Sequence, residues 1–380
     1  MPPGGVTTTG SAAARRHNPR VVTPPPLSRR AVLLGAGAAG LLSACSAPAA
    51  ASDPGVVDVF GAQQAGIARP APPQRHVDLS VWDVPPGIRL SALLATLGRR
   101  AAALCAGGQL ADLPPARLTV TAGLGPRIVA AAGPDLPGAQ DLPVFPGDDV
   151  EDRHRGGDLL LQVCADEPLV AALAVTELTA GIGMTPRWRK TGFRGPSASD
   201  GSARNVLGFA DGIVLPKTDV ELAADVWLDG PPAVRGGTIA VVRSMRLDTA
   251  AFHALPVTRQ EQVIGRRKAT AEPLSGPELD LGAKTPDGEY LIPADAHIRR
   301  AHPLTVGAGV MLRRSYNSEE GLLFISFQKE LRTFVATQHR MSEGDALLRY
   351  ATPTASATFL ILPGFSADVP LGQALLHASS

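Results

Sequence analysis

The sequence predicts an α+β protein made of two ferredoxin-like domains with antiparallel sheets. Three observations carry that prediction. Short stretches of strand character alternate with runs of helical period. In the first half their order is strand–helix–strand–strand–helix, most of a β-α-β-β-α-β unit. The second half repeats strands and helices in a similar, less clear order.

The elements justify this one by one. "RHVDLSVWDV" (75–84) alternates as a strand does, and "LSALLATLGRRAAAL" (90–104) places Leu90, Leu94, Leu97, Ala101 and Leu104 on one helical face. "ARLTVTAGLG" (116–125) and "DLLLQVCA" (158–165) read as strands. "DEPLVAALAVTELTAG" (166–181) reads as a helix with Asp166 as N-cap and Pro168 in its first turn. In the second half, 238–247, 321–328 and 357–364 read as strands, and 257–268 and 331–341 as helices. Long loops fill 185–237 and 269–320, and loops of that length in a compact domain are usually functional.

Ahead of these elements lies a leader. Residues 1–52 contain no Asp or Glu, but they contain Arg15, Arg16, Arg20, Arg29 and Arg30. The apolar run "AVLLGAGAAGLLSA" (31–44) follows, too short to span a bilayer. Residues 1–44 therefore read as an export signal resembling the twin-arginine type, with Arg29 and Arg30 as the pair. "LLSAC" resembles a lipoprotein cleavage site and would make Cys45 a lipid anchor; otherwise Cys45 is incidental to a plain signal. "GAGAAG" (35–40) matches a dinucleotide-binding pattern, but it sits in the signal's apolar core rather than between strand and helix. Residues 45–56 read as a linker, 57–190 as the N-terminal domain and 191–380 as the C-terminal domain.

Charge and composition exclude much. The chain carries 36 Lys+Arg against 35 Asp+Glu, and loss of the leader's five arginines leaves 31 against 35. With only 4% aromatic residues as well, nothing points to nucleic acid. Besides Cys45 only Cys105 and Cys164 remain, and no C-x-x-C occurs; Cys164, in an apolar run, reads as a buried free thiol, with a single Cys105–Cys164 disulfide as the alternative. No H-E-x-x-H, G-x-S-x-G or phosphate-loop motif is present.

Three separated features are left: Asp211 in "RNVLGFADGI" (204–213), "DAHIRRAHP" (295–303) and "MLRRSYNSEEGLLFISFQ" (311–328). Singly each is ordinary, because Asp-Gly is a turn dipeptide and an arginine pair at a strand start is usually solvated. Together, in this order and with "FGAQQAGI" (60–67), "LPVFPGDD" (142–149) and "GGDLLLQVCADEP" (156–168), the chain resembles the dye-decolourising haem peroxidases. It is similar in particular to their secreted deferrochelatase/peroxidase branch, over nearly the whole chain after the leader. Departures are Ala210, Ile213 and Ser315, where relatives often have Lys, Thr and Gly; none changes a catalytic side-chain type.

The resemblance implies the dimeric α/β-barrel type of fold, with non-covalent haem b in the C-terminal half and His297 as proximal iron ligand. His302 is the competing histidine, and Asp345 one candidate to hold the ligand's other nitrogen. Asp211 is implied as the distal acid–base and Arg313 as the cation stabilising charge as the O–O bond of H₂O₂ breaks. Gly208 and Gly212 would let the backbone bend so that Asp211 reaches the haem. Arg204 and Arg314 are carried over as propionate contacts, each with a plain salt-bridge or loop alternative. Leu322 and Phe324 are expected at the distal wall, or simply in the strand core. An aromatic, dye-like electron donor is implied, served by a surface Tyr or Trp, with Tyr316 the first choice and a core tyrosine the alternative. The second functional reading is a haem- or iron-handling lipoprotein working with an iron-import partner. Both readings allow a homo-oligomer.

Overall fold

The computed structural model describes residues 55–108, 110–198 and 202–378. The leader at 1–44, with Arg29 and Arg30, and Cys45 at the head of the linker lie outside the described residues. In the first half the chain runs β1 (His76–Asp83), α1 (Leu90–Cys105), β2 (Thr119–Leu124), α2 (Pro126–Ala132), β3 (Leu159–Ala165), α3 (Pro168–Thr179) and β4 (Thr185–Phe193). The second half begins with β5 (Ala203–Arg204), β6 (Ala210–Asp211), α4 (Asp219–Asp225), β7 (Thr238–Leu247), α5 (Thr249–His253) and α6 (Val257–Ile264). It continues with α7 (His297–Arg300), α8 (Pro303–Val306), β8 (Leu312–Arg313), β9 (Tyr316–Ser318), β10 (Gly321–Gln328), α9 (Leu331–Ser342), β11 (Ala351–Ile361) and α10 (Gln373–Ala378). No helix among the described residues is long and apolar enough to cross a membrane.

The first half contributes β2-β3-β1-β4 to a nine-stranded antiparallel sheet, and the second contributes β9-β10-β7-β11. Each run is the ferredoxin-like strand order. The sheet also closes on itself: β11 pairs with β2 through Leu360↔Leu124, and β4 with β9 through Phe193↔Asn317. Both seams are close, and the second demands glycine because the atom a side chain would meet there is fixed to the backbone. A Cβ on Gly123 would lie 2.6 Å from the Ile361 side chain, and one on Gly192 would lie 2.6 Å from Cβ of Tyr316.

Alternation along the strands separates two interiors. Leu323, Ile325 and Phe327 of β10 pack inside the ring with Leu79, Leu160 and Phe359. Their neighbours Leu322 and Phe324 face outward, as do Met245 and Leu247 of β7, and these four line a cavity under α9. In the first half α1 and α3 cover the outer face instead, with Leu94, Leu97 and Leu178 packed on Leu159 and Leu161. Cys105 and Cys164 are both buried and free, so no disulfide joins them.

The halves are also tied together by charge. Arg243 of β7, fully buried, pairs with Asp148 from the first half and stacks 5.1 Å from the centroid of Phe145. Burial pulls the Arg243 pKa down, and the Asp148 carboxylate opposes that fall. Removing the carboxylate would strand a buried cation, so Asp148→Ala is expected to cost about 3–5 kcal/mol, measured by denaturant unfolding. A loss below about 1 kcal/mol would contradict the buried pair.

Some boundaries differ from those expected. The "loop" from 185 begins with β4, which supplies the fourth strand of the first unit, so a domain boundary at 190/191 falls inside a strand. Glu167, not Asp166, is the N-cap residue of α3, because Asp166 is engaged by Arg117 at 3.1 Å and by the Arg75 amide. The last strand spans Ala351–Ile361 rather than 357–364; Pro353 sits at a register shift that hid its start.

Candidate functional site

His297 opens α7, a helix of only four residues that begins after Ala296 accepts from the Arg299 and Arg300 amides, each at 3.0 Å. The same turn is held to the segment after α9 by the Ala346 amide donating to the Asp295 carbonyl at 2.8 Å. That anchor brings Asp345 against His297: Nδ1 lies 2.7 Å from Asp345 Oδ2. A carboxylate oxygen can only accept, so Nδ1 carries a proton, and in the neutral ring Nε2 keeps its lone pair. The other Asp345 oxygen accepts from the Leu347 amide at 2.8 Å, and its side chain is fully buried. Burial works to lower the His297 pKa, but the charge and hydrogen bond of Asp345 outweigh it and the pKa is raised.

Asp211 comes from a separate hairpin. β5 and β6 pair through Ala203↔Asp211 and Arg204↔Ala210. Gly208, at φ +84°, makes the turn between them. Asp211 Oδ1 accepts from the Gly212 amide at 2.7 Å, and Oδ2 has no hydrogen bond among the described residues. Arg313 ends β8, whose Arg313↔Ser326 pairing sets it beside the outward face of β10. Its guanidinium has no hydrogen bond or ion pair among the described residues.

These side chains share one cavity of about 230 Å³, lined by His297, Asp211 and Arg313 together with Leu322, Phe324 and Gly212. Most of its remaining wall is aliphatic, including Met245, Met311 and Met341. The cavity offers the Nε2 of His297, one free carboxylate oxygen and the free guanidinium of Arg313 within a mostly apolar wall. No cluster of three or more His, Cys, Asp or Glu side chains fit for a metal ion occurs among the described residues. A metal held here by His297 alone must therefore bring most of its ligands with it, as a macrocycle does.

Other expected site residues lie elsewhere. Arg314 is a correction: just past the end of β8 it turns to the opposite side from Arg313, into the ring, donating to the Pro70 carbonyl at 2.9 Å and Gln74 Oε1 at 3.0 Å. Arg204 is another. Its guanidinium donates to the carbonyls of Gly208, Lys268 and Ala269 at 2.7–2.9 Å, clamping the Asp211 hairpin to the segment after α6. Gly208 serves the turn and is not at the cavity wall. Tyr316 is no surface residue; it is buried, with its hydroxyl 3.5 Å from Cys164 Sγ. His302 does line the cavity, but its Nδ1 accepts from the Leu304 amide at 3.2 Å.

Arg266 was missed. It lies two residues past the end of α6, is 8% exposed and lines the cavity. The signal available was the basic run "GRRK" (265–268) after an amphipathic helix, and nothing in it separates Arg266 from Arg267. Only the fold does: Arg267 turns out to Glu261 at 3.0 Å, while Arg266 turns in.

Comparison with known proteins identifies the family. Residues 64–194 match the family model described as Dyp-type peroxidase, N-terminal, and residues 202–366 the one described as Dyp-type peroxidase, C-terminal. A dye-decolorizing peroxidase of Thermobifida fusca is 34% identical over 84% of this chain and 85% of its own length. A deferrochelatase of Yersinia pestis is 32% identical over 84% of each. The crystal structure of a DyP-type peroxidase from Cellulomonas bogoriensis superposes with a TM-score of 0.77 at 34% identity, covering 86% of this chain and 99% of that one.

Proposed function

The chain belongs to the Dyp-type peroxidase family and is a peroxidase, and on that premise we propose that His297, Asp211 and Arg313 are its working side chains around a non-covalent haem b. Haem is the family's cofactor, and the residues present fit it. The observation that carries the reading is that His297, fixed by Asp345, shares one apolar cavity with an unpaired carboxylate oxygen and an unpaired guanidinium. His297 would hold the iron through Nε2, with Asp345 fixing the ring and raising its basicity. Bound haem supplies the electrons that cleave the peroxide O–O bond.

The chain's own residues supply the rest. Asp211 Oδ2 takes a proton from one peroxide oxygen and returns it to the other, which leaves as water. Arg313 stays protonated and offers fixed donors to the charge growing on that leaving oxygen. The mostly apolar wall lowers the local dielectric and strengthens these contacts. The proposed donor is an aromatic molecule too large to enter, oxidised from outside.

Reconstituted protein mixed with H₂O₂ in a stopped-flow spectrometer tests this reading. Wild type is expected to show a rapid change in its absorption band, and Arg313→Leu a rate lower by roughly 10²–10³-fold. Equal rates would remove Arg313 from the site. The reading also places the enzyme outside the cytoplasm, supported by Arg29 and Arg30 ahead of the apolar run at 31–44. Replacing both by Lys is expected to retain it in the cytoplasmic fraction of its host, and unchanged export would refute the leader assignment.

A further inference from the structure

No Tyr, Trp or Cys among the described residues lines the cavity, so the side chains there that peroxide oxidises most readily are thioethers. Three of the chain's five methionines line it, each from a different element. Met245 of β7 pairs with Leu322 on the outward face of the sheet. Met311 precedes Arg313 by two residues, and both side chains reach the cavity. Met341 shares one face of α9 with Phe334, Thr337 and Gln338, at helical spacing.

Packing accounts for part of this pattern, since a flexible thioether fills irregular apolar space as well as Leu does. Reactivity separates the two residue types, because peroxide oxidises Met and leaves Leu untouched. A cavity that brings H₂O₂ to Asp211 and Arg313 therefore presents three sulfurs to the oxidant whenever no electron donor arrives first. Met184 supplies the contrast: it is half-buried against the first-half core and does not line the cavity.

We propose that Met245, Met311 and Met341 are sulfoxidation sites for the enzyme's own peroxide chemistry, and that their oxidation arrests turnover when the donor runs out. The inference rests on the haem reading above. A sulfur lone pair bonds to one peroxide oxygen as the O–O bond breaks. Sulfur is oxidised by two electrons, and the other oxygen takes them with both protons and leaves as water. The product is polar, and in an apolar wall its oxygen is left in want of a donor. Arg313, two residues from Met311, has a guanidinium free to supply one. Engaged by the sulfoxide, that guanidinium is withdrawn from the peroxide.

The test gives the full-length, haem-loaded protein H₂O₂ without a donor and then weighs its methionine peptides by mass spectrometry. Each cavity methionine is expected to gain one oxygen roughly tenfold faster than Met184, because the oxidant acts beside it. Excess aromatic donor, or removal of the haem, should bring the cavity sites down to the rate of Met184. Cavity methionines oxidised no faster than Met184, or equally fast with and without haem, would overturn the proposal. A variant carrying Met245→Leu, Met311→Leu and Met341→Leu, each a volume-conserving change, provides a second readout. It is expected to complete several times more turnovers than wild type before losing half of its own initial rate, and equal endurance would overturn the proposed arrest. If wild type takes up no haem, the haem reading itself falls and this proposal with it.

Discussion

His297→Ala is expected to abolish imidazole coordination of the haem, leaving a displaced and weakened absorption band or none. The size of the effect follows from the donor set: His297 lines the cavity with its Nδ1 tied to Asp345, whereas His302 has its Nδ1 lone pair engaged by the Leu304 amide. The substitution also strips Asp345 of a partner, although its other oxygen keeps the Leu347 amide. That loss should lower stability by about 1–3 kcal/mol, so circular dichroism is needed to show that the variant still folds. Free imidazole added to the variant should enter the vacated space and restore part of the wild-type spectrum. An unchanged spectrum in His297→Ala would mean that another residue is the ligand. Asp345→Asn offers a finer contrast, because the ligand stays and only its orientation and basicity change; a fall of about 10–100-fold in haem affinity or activity is expected.

Asp211→Asn carries the second large effect. Asn keeps the shape and can still accept from the Gly212 amide, but it cannot take up a proton and return it. The rate of reaction with H₂O₂ is expected to fall roughly 10²–10⁴-fold while haem affinity stays within a factor of about two of wild type. Haem affinity is the control, since a hairpin that has shifted would change both. A rate within threefold of wild type would mean that the proton travels by another route.

The repeated fold was legible because its longest elements carry strong patterns. β7 and β10 are long, mostly apolar runs, and α1 puts one apolar stripe on the sheet. β4 escaped notice because "TPRWRKTGF" (185–193) is basic, meets the seam at its last residue and buries only Trp188 and Gly192. A strand whose partners rather than its own side chains define it leaves little trace in the sequence. α7 is too short to show a period at all, so His297 could be found only through its motif. Asp345 was open for the same reason: 48 residues separate it from His297, and only the folded backbone brings the two together. The adjacent pair Arg313 and Arg314 shows the limit most clearly. The sequence names both, and the fold sends Arg313 to the cavity and Arg314, just past the end of β8, into the ring.

The closed ring of strands has a consequence for how this chain meets its neighbours. An open ferredoxin-like sheet ends in two strands with unpaired amides and carbonyls, ready to accept a strand from another molecule. Here each half caps the other, and Gly123 and Gly192 permit that approach. Expressed alone, either half would present two raw edges and is expected to self-associate. The intact chain keeps its ring free of that liability, an advantage for a protein that must stay unaggregated while waiting for its cofactor.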